Sequence, residues 1–270
     1  MTYVHGTEPA EQERLKLMNR LINEPSLREL GLTGGERVLD VGCGLGQFTR
    51  MIARAAGRDS TVIGVERDAG QLDEARRQAT ADDEADLVEL RAGDAMALPL
   101  SGDERGSFDL VYCRFVLEHL SDPLGAVRQM LTAARPGGRI ALQDDDHDLM
   151  RLWPPCDPFD RAWRAYFENY YALSADPIIG RKLVALLYEA GARPMRSTWI
   201  FYGACAGDPD FRFFIDNVVG VLTGARALVV RDGRIDAAAF DDGVEALRVW
   251  ARRPDAAFWY CMPYAEGIRP

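Results

Sequence analysis

The sequence predicts an α/β fold, a doubly wound and mostly parallel sheet, and three observations predict it. Short apolar runs alternate with amphipathic helical stretches as far as residue 143, the rhythm of strands joined by crossover helices. A glycine-rich turn, Gly42-Cys43-Gly44-Leu45-Gly46, follows the first apolar run and opens a helix. Asp122-Pro123 and Pro136-Gly137-Gly138 then mark the start and stop of one more helix before a further apolar run.

Taken in order, a polar helix is expected from about Glu8 to Ile22, with a second short one ending near Leu30. The first strand is Arg37 to Val41, and its helix runs from about Gln47 to Ala56. The second strand is Thr61 to Glu66, followed by a helix over Ala69 to Ala79. Asp86 to Arg91 reads as a third strand and Phe108 to Cys113 as a fourth. The helix opened by Asp122 carries Leu124, Val127, Leu131 and Ala134 on its apolar side, and Arg139 to Gln143 is the fifth strand. Residues 150–176 then carry aromatics where a crossover helix would fall. A regular helix returns at about Ile178 to Ala190 and stops at Gly191, before a sixth strand, Arg196 to Tyr202. A helical stretch over 208–252 precedes the last strand, Ala257 to Tyr264. The two irregular stretches read as one lid and not as an independent domain.

Composition bounds the function. The chain has 270 residues, 47% hydrophobic and 27% charged, ordinary values for a soluble globular protein. No window reads as an unbroken apolar run long enough to cross a bilayer, and the polar start, Met1 to Leu15, holds no signal-peptide core. The expectation is a cytoplasmic protein with no membrane partner, a monomer or homodimer. A formal net charge of −10 argues against nucleic acid as a partner. The five cysteines, Cys43, Cys113, Cys156, Cys205 and Cys261, are odd in number and widely spaced, so neither a disulfide framework nor a zinc knuckle is expected. Lys16 and Lys182 are the only lysines and neither sits in a catalytic motif, which leaves Schiff-base chemistry without a candidate.

A strand that ends in a glycine turn and opens a helix is a nucleotide-cofactor site, because glycine lets backbone approach the ligand and the helix start offers unpaired N–H groups. A dinucleotide fingerprint needs Gly-x-Gly-x-x-Gly, and here Gln47 stands where the third glycine would be, which speaks against a dehydrogenase. The spacing Asp40-x-Gly42-x-Gly44-x-Gly46 instead resembles the first motif of class I S-adenosylmethionine-dependent methyltransferases. Four further segments resemble that family in order. They are Glu66 at the end of the second strand, Gly93-Asp94-Ala95-Met96 after the third, Phe108 to Val111 through Leu117-Glu118-His119-Leu120, and Leu131 to Ile140. The likeness is closest to the bacterial small-molecule branch related to ubiquinone and menaquinone methyltransferases. It is strong over residues 36–143 and weaker over 178–203 and 256–270.

The resemblance implies a Rossmann-like sheet of seven strands, mostly parallel with an antiparallel last strand, and a helical lid. It also implies a single domain over residues 1–270: an N-terminal helical cap over 1–35, a cofactor core over 36–149, lid insertions over 150–176 and 204–255, and the rest of the sheet domain over 178–203 and 256–270. The implied cofactor is S-adenosylmethionine, with S-adenosylhomocysteine as product. Its implied binding residues are Asp40, Gly42, Gly44, Gly46 and Gln47 in the turn, Glu66 for the ribose with Arg67 next to it, Asp94 and Ala95 for the adenine, and Arg114 at the end of the fourth strand. Tyr3 and His5 belong to an N-terminal segment that folds over the cofactor in this branch.

Methyl transfer is an in-line displacement at a sulfonium carbon, so positioning and exclusion of water supply much of the rate, and a base is needed only where the acceptor must lose a proton. Ligands in such sheets bind beyond the carboxyl ends of the strands. There the run Asp144-Asp145-Asp146-His147-Asp148 reads either as a solvated strand end with capping aspartates or as an acidic lip in which Asp144 and Asp146 orient the acceptor or take its proton. A divalent metal on Asp144, Asp146 and His147 is a third reading, set aside in favour of a site without metal. His119 reads as a structural hydrogen-bonding residue or as a base. Phe159, Trp163, Tyr166 and Tyr170 fall on one helical stripe with Phe167 and Tyr171 beside it, which is either lid packing or an aromatic wall for the acceptor with Tyr170 among the catalytic residues. Phe211, Phe214, Ile215, Val218 and Leu222 form a second stripe to pack on the first. The function expected is methyl transfer to O or N of a small molecule in bacterial secondary metabolism, against the alternative of a non-catalytic S-adenosylmethionine-binding partner subunit.

Overall fold

A computed structural model describes residues 9–270. The chain divides into two compact units. The sheet unit takes in residues 23–145, 179–200 and 263–270, and the helical unit takes in 146–178, 201–262 and the start of the chain to Ile22.

In the sheet unit, β1 (Arg37–Val41), β2 (Thr61–Glu66), β3 (Glu89–Ala92), β4 (Phe108–Arg114) and β5 (Ala134–Gln143) pair in parallel in the order β3-β2-β1-β4-β5. The last strand, β8 (Ala257–Ile268), lies antiparallel to β5, with Arg139 opposite Ile268 and Gln143 opposite Tyr264. The central strands read as continuous apolar runs because both faces are covered. Leu39, Ile63, Val111 and Ile140 are all buried in one core with Met130 of α4 (Pro123–Ala133) and Leu183 and Leu187 of α6 (Leu183–Ala190). Chain order reverses between β1 and β4, so the crevice at their carboxyl ends is the switch point of the sheet. The helices α2 (Gln47–Ala56) and α3 (Ala69–Ala81) follow β1 and β2. Asp68 caps α3 by accepting from Gln71 N at 2.8 Å, and Asp122 caps α4 by accepting from Gly125 N at 2.9 Å.

The expected strands are all present, with three differences. Residues Ala85–Leu87 form a short 3₁₀ turn, so β3 starts at Glu89 and not at Asp86. The fifth strand begins at Ala134, ahead of the Pro-Gly-Gly segment, which becomes a bulge between the pairs Phe108–Ala134 and Leu110–Arg139. An additional short strand, β6 (Arg151–Trp153), pairs antiparallel with β8, and β7 (Arg193–Cys205) pairs with β8 as well. The two N-terminal helices expected are one, α1 (Pro9–Leu30), which continues through Pro25. Proline removes one intrahelical N–H, but Ile22, Ser26 and Leu30, four residues apart on one face, are all buried and carry the helix past it.

The helical unit holds α5 (Asp157–Ala172), α7 (Phe211–Arg231) and α8 (Ala237–Trp250), which pack on one another. A Cβ on Gly243 would stand 2.6 Å from Ala162 Cβ and 2.7 Å from the Pro158 carbonyl, so α8 crosses α5 where glycine alone fits. Both expected apolar stripes are buried, Phe159, Trp163, Tyr166 and Tyr170 on α5 and Phe211, Phe214, Ile215, Val218 and Leu222 on α7. By length and composition alone α7, with 21 residues and an 18-residue window of mean hydropathy 1.6, could cross a membrane, although Asp216 and Arg226 interrupt it and it is no unbroken apolar run. Gly243→Val should lower the free energy of unfolding by about 1–3 kcal/mol through overpacking at the α5–α8 crossing, read as a shift in the urea midpoint.

Candidate active site

Each of the strands β1, β2, β3 and β4 delivers one piece of the site at its carboxyl end. After Val41 the chain turns back on itself: Gly42 N and Cys43 N donate to the same Val65 carbonyl, at 2.8 and 3.0 Å, and Gly46 N donates to Cys43 O at 2.9 Å. Gly42, Gly44 and Gly46 have φ of 78°, 54° and 67°, left-handed values that other residues rarely adopt. Gly42 has no room for a side chain either, since a Cβ there would lie 2.2 Å from Val116 Cγ2. Gly46 caps α2 through its backbone alone, which leaves the first N–H groups of that helix available to a ligand. Gln47 opens α2 and its side chain donates to Gln78 Oε1 at 3.2 Å.

Glu66 ends β2 with its carboxylate drawn toward the turn. Oε2 accepts from Gly44 N at 3.0 Å, and Oε1 accepts from Arg67 N and Asp68 N at 2.9 Å each. A carboxylate has about four acceptor sites, so capacity remains for a hydroxyl. Asp94, beyond β3, accepts from Met96 N at 2.8 Å through Oδ1, while its Oδ2 lies 4.0 Å from Arg67 Nη1. Ala95, partly buried, packs against the core. Arg114, last in β4, sets its guanidinium 4.2 Å above the Phe48 ring and donates to Asn23 Oδ1 at 2.9 Å. Asp40 is buried and accepts from Thr49 Oγ1 at 2.6 Å. Burial pushes its carboxyl up to about 6, a rise that the Thr49 hydroxyl and the Arg114 charge oppose and the Glu66 charge assists.

The four catalytic candidates divide between the units. His119 closes a 3₁₀ turn, Leu117–His119, with Nε2 at 3.5 Å from Glu118 Oε1. Asp144 is fully buried, and its oxygens accept from Leu117 N at 2.9 Å, Asp145 N at 3.0 Å and Val116 N at 3.2 Å. Burial and the neighbouring Glu118 and Asp145 charges push its carboxyl well above the usual range. Asp146 belongs to the helical unit and is buried just before the short turn His147–Leu149. Tyr170 is buried in the same unit, its hydroxyl 2.9 Å from that of Tyr166. The solvated reading of the acidic run therefore does not describe Asp144, Asp146 or His147, all of them buried. Tyr3 and His5 lie outside the described residues.

Sequence reasoning missed two features here. Val116 is the side chain that fills the space over Gly42, a contact 74 positions apart that no local pattern signals. His147 sits at the centre of an aromatic group in the helical unit, with ring centroids 5.1 Å from Tyr170, 5.6 Å from Trp163 and Tyr166 and 6.5 Å from Tyr260. Tyr260 was legible only as part of an alternation, Phe258, Tyr260 and Met262, that is buried along β8.

A turn whose backbone a side chain would obstruct, an acid with acceptor capacity at the end of β2 and a second acid after β3 suit a nucleoside ligand that carries no phosphate at the turn. Residues 39–142, nearly the whole of this geometry, match the family described as a methyltransferase domain. That segment is a class I S-adenosylmethionine-dependent methyltransferase domain on a Rossmann-like sheet, and S-adenosylmethionine is its cofactor. Among curated proteins, the 27-O-demethylrifamycin SV methyltransferase of Amycolatopsis mediterranei (strain S699) is 34% identical over 52% of this chain and 50% of its own length. The chain spans about half the length of the curated relatives it matches. Among solved structures, a SAM-dependent methyltransferase from Aquifex aeolicus is similar with a TM-score of 0.56 at 20% identity, over 72% of this chain and 94% of that one. The [4+2]-cyclase SpnF is similar over 100% of this chain and 85% of its own with a TM-score of 0.52 at 18% identity. Likeness at such identities is one of fold.

Two outcomes test the site. Replacing Glu66 by Ala should weaken binding of S-adenosylhomocysteine by about 10- to 100-fold, the worth of hydrogen bonds to a charged group, as read by calorimetric titration. Asp40 binds its proton more tightly folded, at about 6, than a free aspartate near 3.9 would. Its contribution to stability is therefore full below about 4 and lost as pH rises through 6. Asp40→Asn should accordingly gain about 2 kcal/mol relative to the parent between pH 4 and pH 7, and a pH-independent difference in unfolding free energy would refute this.

Proposed function

We propose that this chain transfers a methyl group from S-adenosylmethionine to an oxygen or nitrogen of a small, largely apolar acceptor in bacterial secondary metabolism. The observation that carries this reading is the glycine turn at the end of β1, held between Val65 and Val116 with Glu66 and Asp94 beside it. Bound there, S-adenosylmethionine supplies a methyl group on a cationic sulfonium. The chain's own residues do the rest. Amides of the turn and of the α2 start bind, Glu66 accepts from ribose hydroxyls, and Asp94 and Ala95 hold the adenine. The buried Asp40 carboxyl, with a hydroxyl as its hydrogen-bonded partner, offers negative charge to a cationic ligand.

For the acceptor, the supporting feature is the interior of the helical unit. It is largely apolar, and beside the buried Asp146, Asn169 and Asn217 it holds polar tips that meet one another: the Tyr166 and Tyr170 hydroxyls, and the Tyr260 hydroxyl 3.5 Å from His147 Nδ1. Such a group orients a hydroxyl or amine and takes up its proton, the one chemical task left to a base in methyl transfer. Residues 150–176 and 204–255 are thereby assigned acceptor choice, with Tyr170 and His147 the foremost groups and Asp146 and His119 the further candidates. The name of the rifamycin relative, which specifies oxygen, supports an oxygen acceptor.

The test is transfer of a deuterated methyl group from labelled S-adenosylmethionine into a metabolite extract, followed by mass spectrometry. A labelled product is expected, and on that product Tyr170→Phe should lower kcat by at least about tenfold. Tight cofactor binding with no labelled product from any extract would instead favour the non-catalytic partner subunit.

A further inference from the structure

We propose that Asp144 is a positioning residue for the cofactor turn, acting through Val116. Asp144 follows β5 next to the end of β4, where Arg114 pairs with Gln143. Between those ends and the glycine turn runs the segment 115–117. Its first residue, Phe115, has φ of 56°, a left-handed value for an aromatic residue, and donates its N–H to Gln143 O at 3.1 Å. The next two N–H groups, of Val116 and Leu117, converge on Asp144 Oδ2. The Asp144 backbone is held in turn by β8, because its N–H donates to Pro263 O at 3.2 Å. A fixed strand end thus grips the 116–117 backbone, and that grip aims the Val116 side chain into the space a Gly42 Cβ would fill.

On its other side Gly42 is tied to Val65 O, so the start of the turn is clasped between a hydrogen bond and a methyl group. Three of the about four acceptor sites of Asp144 go to backbone N–H groups, and its side chain is fully buried. This is the arrangement of a cap, in which a carboxyl group orients the neighbouring backbone through its N–H groups. The proposal rests on S-adenosylmethionine as the cofactor of the turn.

The test compares Asp144→Asn, Asp144→Leu and Val116→Ala with the parent in the full chain, by S-adenosylhomocysteine titration, unliganded Tm and amide hydrogen exchange over residues 42–46. The parent's own binding of S-adenosylhomocysteine checks the cofactor reading separately, and the exchange measurement needs no ligand. Asn keeps an oxygen for the Val116 and Leu117 N–H groups, so its Kd should stay within about threefold of the parent. Leu removes the acceptor and should raise Kd by about tenfold or more, with faster exchange in the turn. Val116→Ala, which leaves every hydrogen bond of Asp144 intact, should raise Kd by about threefold or more and speed exchange at Gly42 and Cys43 while Tm moves little. If Asp144→Leu fails to fold, the other two variants decide. Parent-like affinity and exchange in Val116→Ala would overturn the proposal, as would an Asn variant that loses affinity as severely as Leu.

Discussion

The carbonyl of Val65 receives two N–H groups, from Gly42 and Cys43, and the site follows from that shared acceptor. In register, Val41 stands beside Val65, so an uninterrupted ladder would carry β1 onward alongside Glu66. The left-handed backbone at Gly42 turns the chain back instead, and the ladder ends there. The Glu66 carboxylate then catches the next glycine amide, Gly44 N, from one residue further along β2. Consecutive residues of one strand end therefore hold consecutive parts of the turn. The turn fixes the start of α2, and with it the direction in which unpaired helix N–H groups face. Any residue with a side chain at position 42 would lose the φ and meet Val116 as well, so two independent constraints select the same glycine.

The buried acids of the sheet unit show which charges the fold satisfies by itself and which it leaves for something else. Glu104 accepts from both terminal nitrogens of Arg91, at 2.7 and 2.8 Å, and its carboxyl is held down at about 2 chiefly by that pair. Its contribution to folding is present above the ordinary glutamate range and is lost as pH falls toward 2. Asp40, at the cofactor end of the sheet, has a hydroxyl as its hydrogen-bonded partner and sits at about 6. The contrast marks function: a carboxylate buried without a directly bonded cation costs stability unless a cationic ligand arrives, and the cofactor of this domain is cationic at sulfur.

The sheet was legible because two strong local signals coincide in it. Strands covered on both faces read as unbroken apolar runs, as in Val38-Leu39 and Leu110-Val111, and their ends are marked by residues with definite turn chemistry, Gly42 to Gly46, Asp68, Asp122 and Gly191. Where either signal weakens, the boundaries moved. β3 lies at the edge of the sheet with Glu89 and Ala92 exposed, so nothing apolar marks its start. β6 offers one buried residue, Leu152, which is too little for any periodicity. Among the site residues, those that act through backbone shape or strand position were readable from spacing alone. Asp144 was not, since its partners lie 27 and 28 positions away and a capping aspartate looks in sequence like any other acid in an acidic run.

The aromatic stripe on α5 left two readings open, packing or an acceptor wall, and the physics of the helical unit makes them compatible. Its polar tips are anchored to the backbone or to each other: Trp163 Nε1 donates to His147 O at 2.8 Å, and Trp250 Nε1 donates to Pro154 O at 2.7 Å. The backbone of His147 is fixed a second time, by donation to Pro177 O at 3.0 Å, while its ring lies nearly parallel to that of Tyr260, at 10°. A histidine tethered through its main chain has few ways to turn its ring, and rings packed edge to face around it have few ways to yield. Rigid surroundings are what a proton-transfer group needs, because acceptance of a proton depends on approach distance and direction. Dense packing in this unit is therefore compatible with the proposed acceptor chemistry. What distinguishes an acceptor wall from an ordinary core is the presence of titratable tips among the rings, and of the four stripe residues on α5 two, Tyr166 and Tyr170, carry such tips and bond to each other.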